Sequence, residues 1–374
     1  MGKTTIGWTD VTLQLSRGCD PVSPGCANCW AAEIAARFSG PGLAFEGLAR
    51  FKTDGRRKLA VWTKAPVQLV PEAMLTALSW RKPKRVFVNS VSDLFHGDIP
   101  FEYIAAWWAV MAATPHITYQ IVTKRAARML EFFEWLERPH GEPARAGISA
   151  CGAYAYNLCQ ERAVTAETPG DQKLQQRWLN ASGRVYDMWM KGWDSVALPN
   201  VWLLVSTENQ ETFDERVPHL LSCPAVVHGV SAEPLLGPID LSRYLRPQQE
   251  AEERPRGLIA LWRPALRWVI VGGESGDNAR PCAEAWISNM VKQIRDEQGV
   301  PVAGFVKQLG SRPTGSPDCT GCEGEQFEGT ACLRCGDTVE LADGMRVLHL
   351  KHGKGEDPDE WSPNLRVQEF PVPA

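Results

Sequence analysis

The feature of this 374-residue chain that most restricts its fold is a unit that recurs along it: a short run of β-forming apolar residues, a polar tip, then a segment with helical spacing. The apolar runs stand at residues 11–15, 85–90, 118–122, 201–206, 225–230, 268–271 and 302–306. Helical patterns at 71–80, 103–113, 126–136, 213–221 and 283–298 lie between or after them. Strands separated by helices cannot be joined by tight hairpins, so the sheet should be largely parallel. Seven such strands predict an α/β fold, a partial or modified TIM-type barrel.

In such barrels the chemistry gathers where strands end and the following loops begin. Here those tips read SVSDLFHGD, TKR, STEN, SAEP, GGESGD and KQLG, with Asp93, Lys124, Glu208, Glu233, Glu274 and Lys307 prominent. Six polar tips in register favour a shared site over the ordinary polarity of loops. The barrel should occupy residues 1–310, interrupted at about 139–200 by a polar helical insertion between the third and fourth strands. A Gly-rich, four-cysteine segment at 311–341 should form a small appended module. Residues 342–374 should be a tail that packs back on the barrel through Trp361, Leu365 and Phe370.

A formal net charge of −4 argues against a protein that coats nucleic acid by bulk electrostatics, which needs many phosphates neutralised at once. The opening MGKTTIGWTD has no apolar stretch of the secretory kind, and the longest apolar run, at 104–113, falls far short of the roughly 20 residues of a membrane span. A cytoplasmic protein with no membrane partner is expected. In that compartment eleven cysteines do not make a disulfide framework, and their spacing suggests metal instead.

Cys19, Cys26 and Cys29 follow the first apolar run in GCDPVSPGCANCWA, a C-x6-C-x2-C pattern. Three thiolates on a short Gly/Pro-rich loop can hold three irons of a [4Fe-4S] cubane and leave the fourth open to a ligand. In radical S-adenosylmethionine enzymes that open iron chelates the cofactor, and one electron from the cluster yields a 5′-deoxyadenosyl radical. The commonest spacing of that motif is C-x3-C-x2-C, and Asn28 stands where an aromatic often precedes the third cysteine, with Trp30 two positions on. The residues leave two other readings open: a zinc site completed by a ligand such as His96, or a loop without metal. A second group, Cys319, Cys322, Cys332 and Cys335, has the paired C-x2-C spacing of a structural Zn²⁺ ribbon, and an auxiliary iron-sulfur cluster would use the same four ligands. Cys151, Cys159, Cys223 and Cys282 are scattered and read as buried apolar residues.

The segments TIGWTDVT, SPGCANCWA, VFVNSVSDLFH, ITYQIVTKRAARM, NVWLLVSTEN, VSAEPLLGPIDL, WVIVGGESG, FVKQLG and WSPNLRVQEFP together resemble a phage-associated family known by its three-cysteine motif, whose members are usually described as phage proteins of unknown function. The resemblance covers nearly the whole barrel. It implies a fold of the radical S-adenosylmethionine kind, distantly similar to spore photoproduct lyase, encoded by a phage or prophage and working in the bacterial host. Leu309 departs from the family, which has an aromatic there; the paired C-x2-C module and the long insertion are elaborations of this member.

On this reading Cys19, Cys26 and Cys29 ligate the cluster, while Asp93, Ser206, Glu208 and Glu233 grip the cofactor's amino, ribose or carboxylate groups. Asp93, Lys124 and Glu233 are the candidates for catalytic work. Gly272, Gly273 and Glu274 form either a glycine turn that admits a ligand near the backbone or a plain tight turn. Three basic groups, Lys124/Arg125/Arg128, Arg56/Arg57/Lys58 and Arg81/Lys82/Lys84/Arg85, are available to phosphate or are solvated faces. The expected substrate is a nucleobase, nucleotide or DNA, in phage DNA modification or repair, with a flavodoxin or ferredoxin as electron donor. Most of the fifteen tryptophans should be core, although some could stack on bases. The rival readings are a zinc-stabilised, non-redox nucleic-acid-binding protein and a metal-dependent hydrolase using the acidic tips.

Overall fold

The computed structural model describes residues 4–55, 57–139, 145–165, 172–190, 195–246, 265–297, 301–315, 327–328, 331–332, 341–342, 345–348 and 350–372. Its centre is one parallel sheet of seven strands: β1 (Val11–Leu13), β2 (Lys84–Val88), β3 (Ile117–Thr123), β4 (Val201–Ser206), β5 (Val227–Ala232), β6 (Trp268–Gly272) and β7 (Ala303–Gln308). Spatial order equals chain order, so the sheet curls into a half-barrel with all strand C-termini on one rim. The seven apolar runs of the sequence are these seven strands, each displaced by at most two residues at an end.

Both faces of the sheet are covered, which is why the strands lack polar alternation. All six residues of β4 are buried: Trp202 and Leu204 join Trp8, Trp268, Ile270 and Phe305 on one face, and Leu203 and Val205 join the main core on the other. The outer layer holds α1 (Trp30–Arg37), α2 (Ala73–Ser79), α3 (Phe101–Ala112), α4 (Ala126–Leu136), α5 (Gly147–Thr165), α6 (Gln172–Met190), α7 (Gln210–Ser222) and α8 (Glu284–Asp296). A helix that is apolar all round must be covered all round. α3 is such a helix, with every residue from Tyr103 to Ala112 buried, and the insertion helices α5 and α6 pack on it. The insertion therefore completes the core. Asn200 locks the return to β4 by donating to the carbonyls of Met111, Thr114 and Ile117 at 3.1, 3.3 and 2.9 Å.

An open half-barrel leaves edge strands, and the tail covers one of them. Phe305 of β7 bridges antiparallel to Gln368, Val306 N donates to Val367 O at 2.8 Å, and Trp268 Nε1 donates to Glu369 O at 3.1 Å. Trp361 and Leu365 are buried, and the Phe370 ring lies 5.6 Å from Phe305 and 5.9 Å from Trp268. A hairpin the sequence reading missed, Ala49–Asp54 paired with Arg57–Trp62, stands beside α1. Its signal was present in the Asp54-Gly55 dipeptide between two β-prone runs. Of the four-cysteine module, Cys319, Cys322 and Cys335 lie outside the described residues, and Cys332 ends a two-residue strand paired with Phe327–Glu328. No helix among the described residues is long and apolar enough to cross a membrane.

Trp268 is fully buried and meets Trp8 and Trp202 edge to face at 5.9 and 5.5 Å. Trp268→Ala should therefore cost about 3–5 kcal/mol in urea unfolding, whereas Leu179→Ala on the exposed face of α6 should stay within about 0.5 kcal/mol.

Candidate functional site

The rim formed by the strand C-termini carries the three-cysteine loop. The exit of β1 is set by Asn89 just past β2, whose side chain accepts from Leu15 N at 2.6 Å and donates to Ser16 Oγ at 3.0 Å. Asn89 has φ of 57°, a left-handed conformation that asparagine tolerates. Gly18 then turns the chain with φ of 100°, and Cys19, Cys26 and Cys29 follow, all free and half-buried. Cys26 ends a single helical turn that begins with Pro24, and Cys29 occupies the N-cap of α1.

Side chains from four strand ends hold this loop. From the β2 end, Asp93 accepts from Phe95 N at 3.0 Å, Thr123 Oγ1 at 2.7 Å, Lys124 N at 3.1 Å and Arg125 NH1 at 3.0 Å. Arg125, thus aimed from the end of β3, donates to Asp20 O at 3.1 Å and approaches Cys19 Sγ at 3.7 Å. From the β4 end, Glu208 accepts from Ser23 Oγ at 2.7 Å, from Lys124 Nζ, and from Arg216 NH1 at 3.1 Å. Ser23 Oγ is also 3.9 Å from Cys26 Sγ. From the β6 end, Glu274 accepts from Asn28 Nδ2 at 3.0 Å and from Arg280 at 2.6 and 2.9 Å, while Arg280 NH1 donates to Pro24 O at 2.9 Å. Asn28 thus has a reason to replace an aromatic: its amide ties the loop to β6, donating also to Asn278 O at 2.8 Å.

The sequence candidates fall into two groups. Asp93, Lys124, Ser206 and Glu208 form one connected network under the cysteine loop, with Lys124 Nζ donating to Ser206 Oγ at 2.8 Å. Glu233, at the end of β5, faces Lys307 of β7 at 2.9 Å and is joined to the network through its carbonyl, which accepts from Ser206 Oγ at 3.1 Å. The glycines serve close packing of the protein on itself. A Cβ on Gly272 would lie 2.6 Å from Glu233 Oε1, and one on Gly273 would lie 2.1 Å from Leu309 O. Register shifts at Gly272, and such a bulge re-aims the strand end. Of the basic groups, the first is committed internally: Arg128 donates to the carbonyls of His96, Gly97 and Ile99 at 3.2, 3.3 and 3.0 Å.

Three contributors escaped sequence reasoning. Ser23 and Arg280 carry no sequence signal that marks them. Arg216 does, since it shares the apolar face of α7 with Phe213, Val217 and Leu220, where a charge needs a buried partner. The α7 start also fixes Glu208 through a capping box of Asn209 and Thr212, with Glu208 N donating to Thr212 Oγ1 at 2.9 Å.

Electrostatics separate the carboxylates from the thiols. Burial raises the Glu208 carboxyl, but Lys124, Ser23 and Arg216 outweigh it and hold it below the ordinary value of 4.5. Burial likewise raises Glu274, and Arg280 with Asn28 brings it below 4.5. Burial, reinforced by Asp93, pushes the Cys19 thiol up to about 12 against the opposing pull of Arg125, and burial raises Cys29 as well. Thiols held up in this way are poor free nucleophiles at neutral pH. The scattered cysteines are core residues: burial raises all four, Cys159 and Cys282 to about 12.

The donor set has a shape. Tetrahedral zinc with Zn–S of 2.3 Å brings its sulfurs to about 3.8 Å of one another. Among the described residues the group of such ligand atoms within 4.8 Å of one another is His352, Asp357 and Glu360, and Cys19, Cys26 and Cys29 are not so gathered. His96 does not complete a zinc site, because Nδ1 accepts from Asp98 N at 3.1 Å and Nε2 pairs with Asp20. The His352 group is already engaged, with His352 Nε2 3.3 Å from Asp357 and Glu360 accepting from Lys351 N at 2.7 Å. A cleft of about 340 Å³ opens beside the loop, lined by Asn28, Cys29, Arg37, Lys58, Asp277 and Asn278.

Two outcomes follow. A Cβ on Gly25 would sit 2.3 Å from Glu208 Oε1, so Gly25→Ala must displace the loop or the carboxylate and should cost about 1–3 kcal/mol in urea unfolding. For Glu274 the folded carboxyl is the stronger acid, so its ionised form stabilises the fold above 4.5 and that contribution is lost as pH falls through the lowered folded value. The stability advantage of wild type over Glu274→Gln should be full at neutral pH and shrink steadily below pH 4.5; an advantage that does not change with pH would contradict the network.

Searches of curated proteins and of solved structures return no match to this chain. A family model does match, over residues 3–347: the chain belongs to the family described as Protein of unknown function (DUF5131).

Proposed function

We propose that this protein is a radical S-adenosylmethionine enzyme whose [4Fe-4S] cluster is held by Cys19, Cys26 and Cys29. The observation that carries the reading is the placement of three free, half-buried thiols on one loop over the C-terminal rim of a parallel half-barrel, tied to four strand ends by charged side chains. When bound, the cluster and S-adenosylmethionine would supply a 5′-deoxyadenosyl radical by one-electron cleavage of the sulfonium.

The chain's own residues prepare for that chemistry. Arg125 lies 3.7 Å from Cys19 Sγ and would offset part of the charge of a thiolate there. Lys124, Glu208 and Arg216 fix Ser23 and thereby the approach to Cys26. Gly25 lets the loop lie directly against Glu208. Glu233 and Lys307 are the rim pair left outside the loop's own tethers, with 13% and 26% of their side chains exposed, and are the groups best placed to meet polar parts of a cofactor or substrate. The engagement of His96 by Asp20 and Asp98 favours a cluster over a zinc ion completed by that histidine. The phage-associated three-cysteine resemblance points the same way, and a nucleobase, nucleotide or DNA substrate in the cytoplasm of a bacterial host, with a flavodoxin or ferredoxin as donor, goes with it. Cys319, Cys322, Cys332 and Cys335 would hold zinc or a second cluster.

Anaerobically purified protein should contain about four irons and four sulfides beyond any metal at the C-terminal cysteines, with an absorption band that dithionite bleaches. Cys26→Ala should lose that iron together with reductive cleavage of S-adenosylmethionine. Zinc without iron, even after anaerobic reconstitution, overturns the proposal.

A further inference from the structure

Three basic groups stand out in the sequence, and the fold gives them different fates. Lys124, Arg125 and Arg128 are consumed inside the rim network. Arg81, Lys82, Lys84 and Arg85 lie where β2 begins, at the opposite end of the sheet from the cysteines, and Arg85 is paired with Asp10 at 3.0 Å. The remaining group lies on the hairpin Ala49–Trp62, which stands against α1 and contributes Phe51, Lys58, Leu59 and Ala60 to the cleft beside Cys29. In a chain of net charge −4, residues 49–62 hold five basic side chains against one acid, Asp54. Arg50, Lys52 and Lys58 are exposed, and none is paired with a carboxylate among the described residues. Lys58 Nζ sits 4.1 Å above the Phe51 ring.

Helix α1, which lends Glu33 and Arg37 to the cleft, carries exposed aromatic rings outside it. Trp30, Glu33 and Arg37 follow one another on one face of α1, and Glu33 and Arg37 line the cleft as a mutual ion pair. Trp30 is 48% exposed and Phe38, at the end of the helix, is 50% exposed, while Trp107, Trp108, Trp178 and Trp268 are wholly buried. Lys58 shares the Phe51 face of the hairpin, and Arg50 and Lys52 project from its other face. Exposed cations with exposed aromatic rings on the helix packed beside them are the recognition chemistry of a single nucleic-acid strand: phosphates meet the cations and bases stack on the rings.

We infer that the Ala49–Trp62 hairpin and the Trp30 face of α1 form a binding surface for single-stranded nucleic acid that delivers the strand to the cleft beside Cys29. Delivery to that cleft rests on the proposed role of the cysteine loop; binding of the strand does not.

The test is fluorescence anisotropy of a labelled mixed-sequence DNA strand against the full-length protein over a series of salt concentrations. The triple variant R50Q/K52Q/K58Q should weaken binding at least tenfold and lower the slope of log Kd against log salt by about 2, at about 0.7 per lost phosphate contact. Trp30→Ala should weaken binding roughly tenfold and leave that slope unchanged. R81Q/K82Q/K84Q should bind within about twofold of wild type. Wild-type binding of the hairpin variant, equal losses in both triple variants, or displacement by polyglutamate as effective as by unlabelled strand overturns the inference, the last in favour of an acidic protein partner. Iron content of the same preparation separates this inference from the cluster: iron-free protein that binds through the hairpin keeps the surface and removes the cluster, and iron-loaded protein that does not bind removes the surface alone.

Discussion

Glu208 has no exposed side-chain surface, and the rest of the rim is organised around the need to keep its charge satisfied. An ionised carboxylate taken out of water loses several kcal/mol of solvation unless cations and hydrogen bonds replace it. Here Lys124 arrives from β3, Arg216 from α7 and Ser23 from the cysteine loop, so one buried charge joins three pieces of chain distant in sequence. Because Gly25 packs directly on this carboxylate, the position of Cys26 is inherited from it. Asp93 with Arg125, and Glu274 with Arg280 and Asn28, repeat the device on either side.

The half-barrel gives these anchors a fixed frame. With sequential strand order every C-terminus lies on one rim, so residues as much as 256 positions apart meet there, as Pro24 and Arg280 do. A curled sheet that does not close has edges, and the tail satisfies the β7 edge by backbone pairing and by packing Phe370 on Phe305 and Trp268. The insertion helices do the same for α3, whose all-apolar surface would otherwise face water. Elements that read as additions to the barrel are parts of its core.

Much of the scaffold was legible in the sequence because burial on both faces leaves a plain signature. The runs at 85–90, 201–206 and 268–271 are continuous stretches of β-forming residues ended by polar tips, and they are the alternate strands β2, β4 and β6 of one sheet. The Ala49–Trp62 hairpin was missed because its first strand is charged and exposed, and the short apolar run at 59–62 in its second does not fit the β/α rhythm followed by the other strands. The site was legible as a list of residue types and not as partnerships. Glu274 and the two glycines before it suggested a ligand near the backbone, yet the glycines are filled by Glu233 and Leu309 and the glutamate holds Asn28 and Arg280. Lys124 and Arg125 suggested phosphate and instead neutralise buried carboxylates.

The sequence by itself determined the repeating β/α order, the sides of each strand that must be buried, and the presence of three thiols on one short loop after the first strand. Those follow from local periodicity and spacing, which a linear chain displays directly. Only the tertiary structure decided which carboxylate faces which cation, that His96 is occupied by Asp20 and Asp98, and that one basic group of three stands exposed beside the cysteines. Those depend on desolvation and distance between residues far apart in the chain, and no spacing along the sequence encodes them.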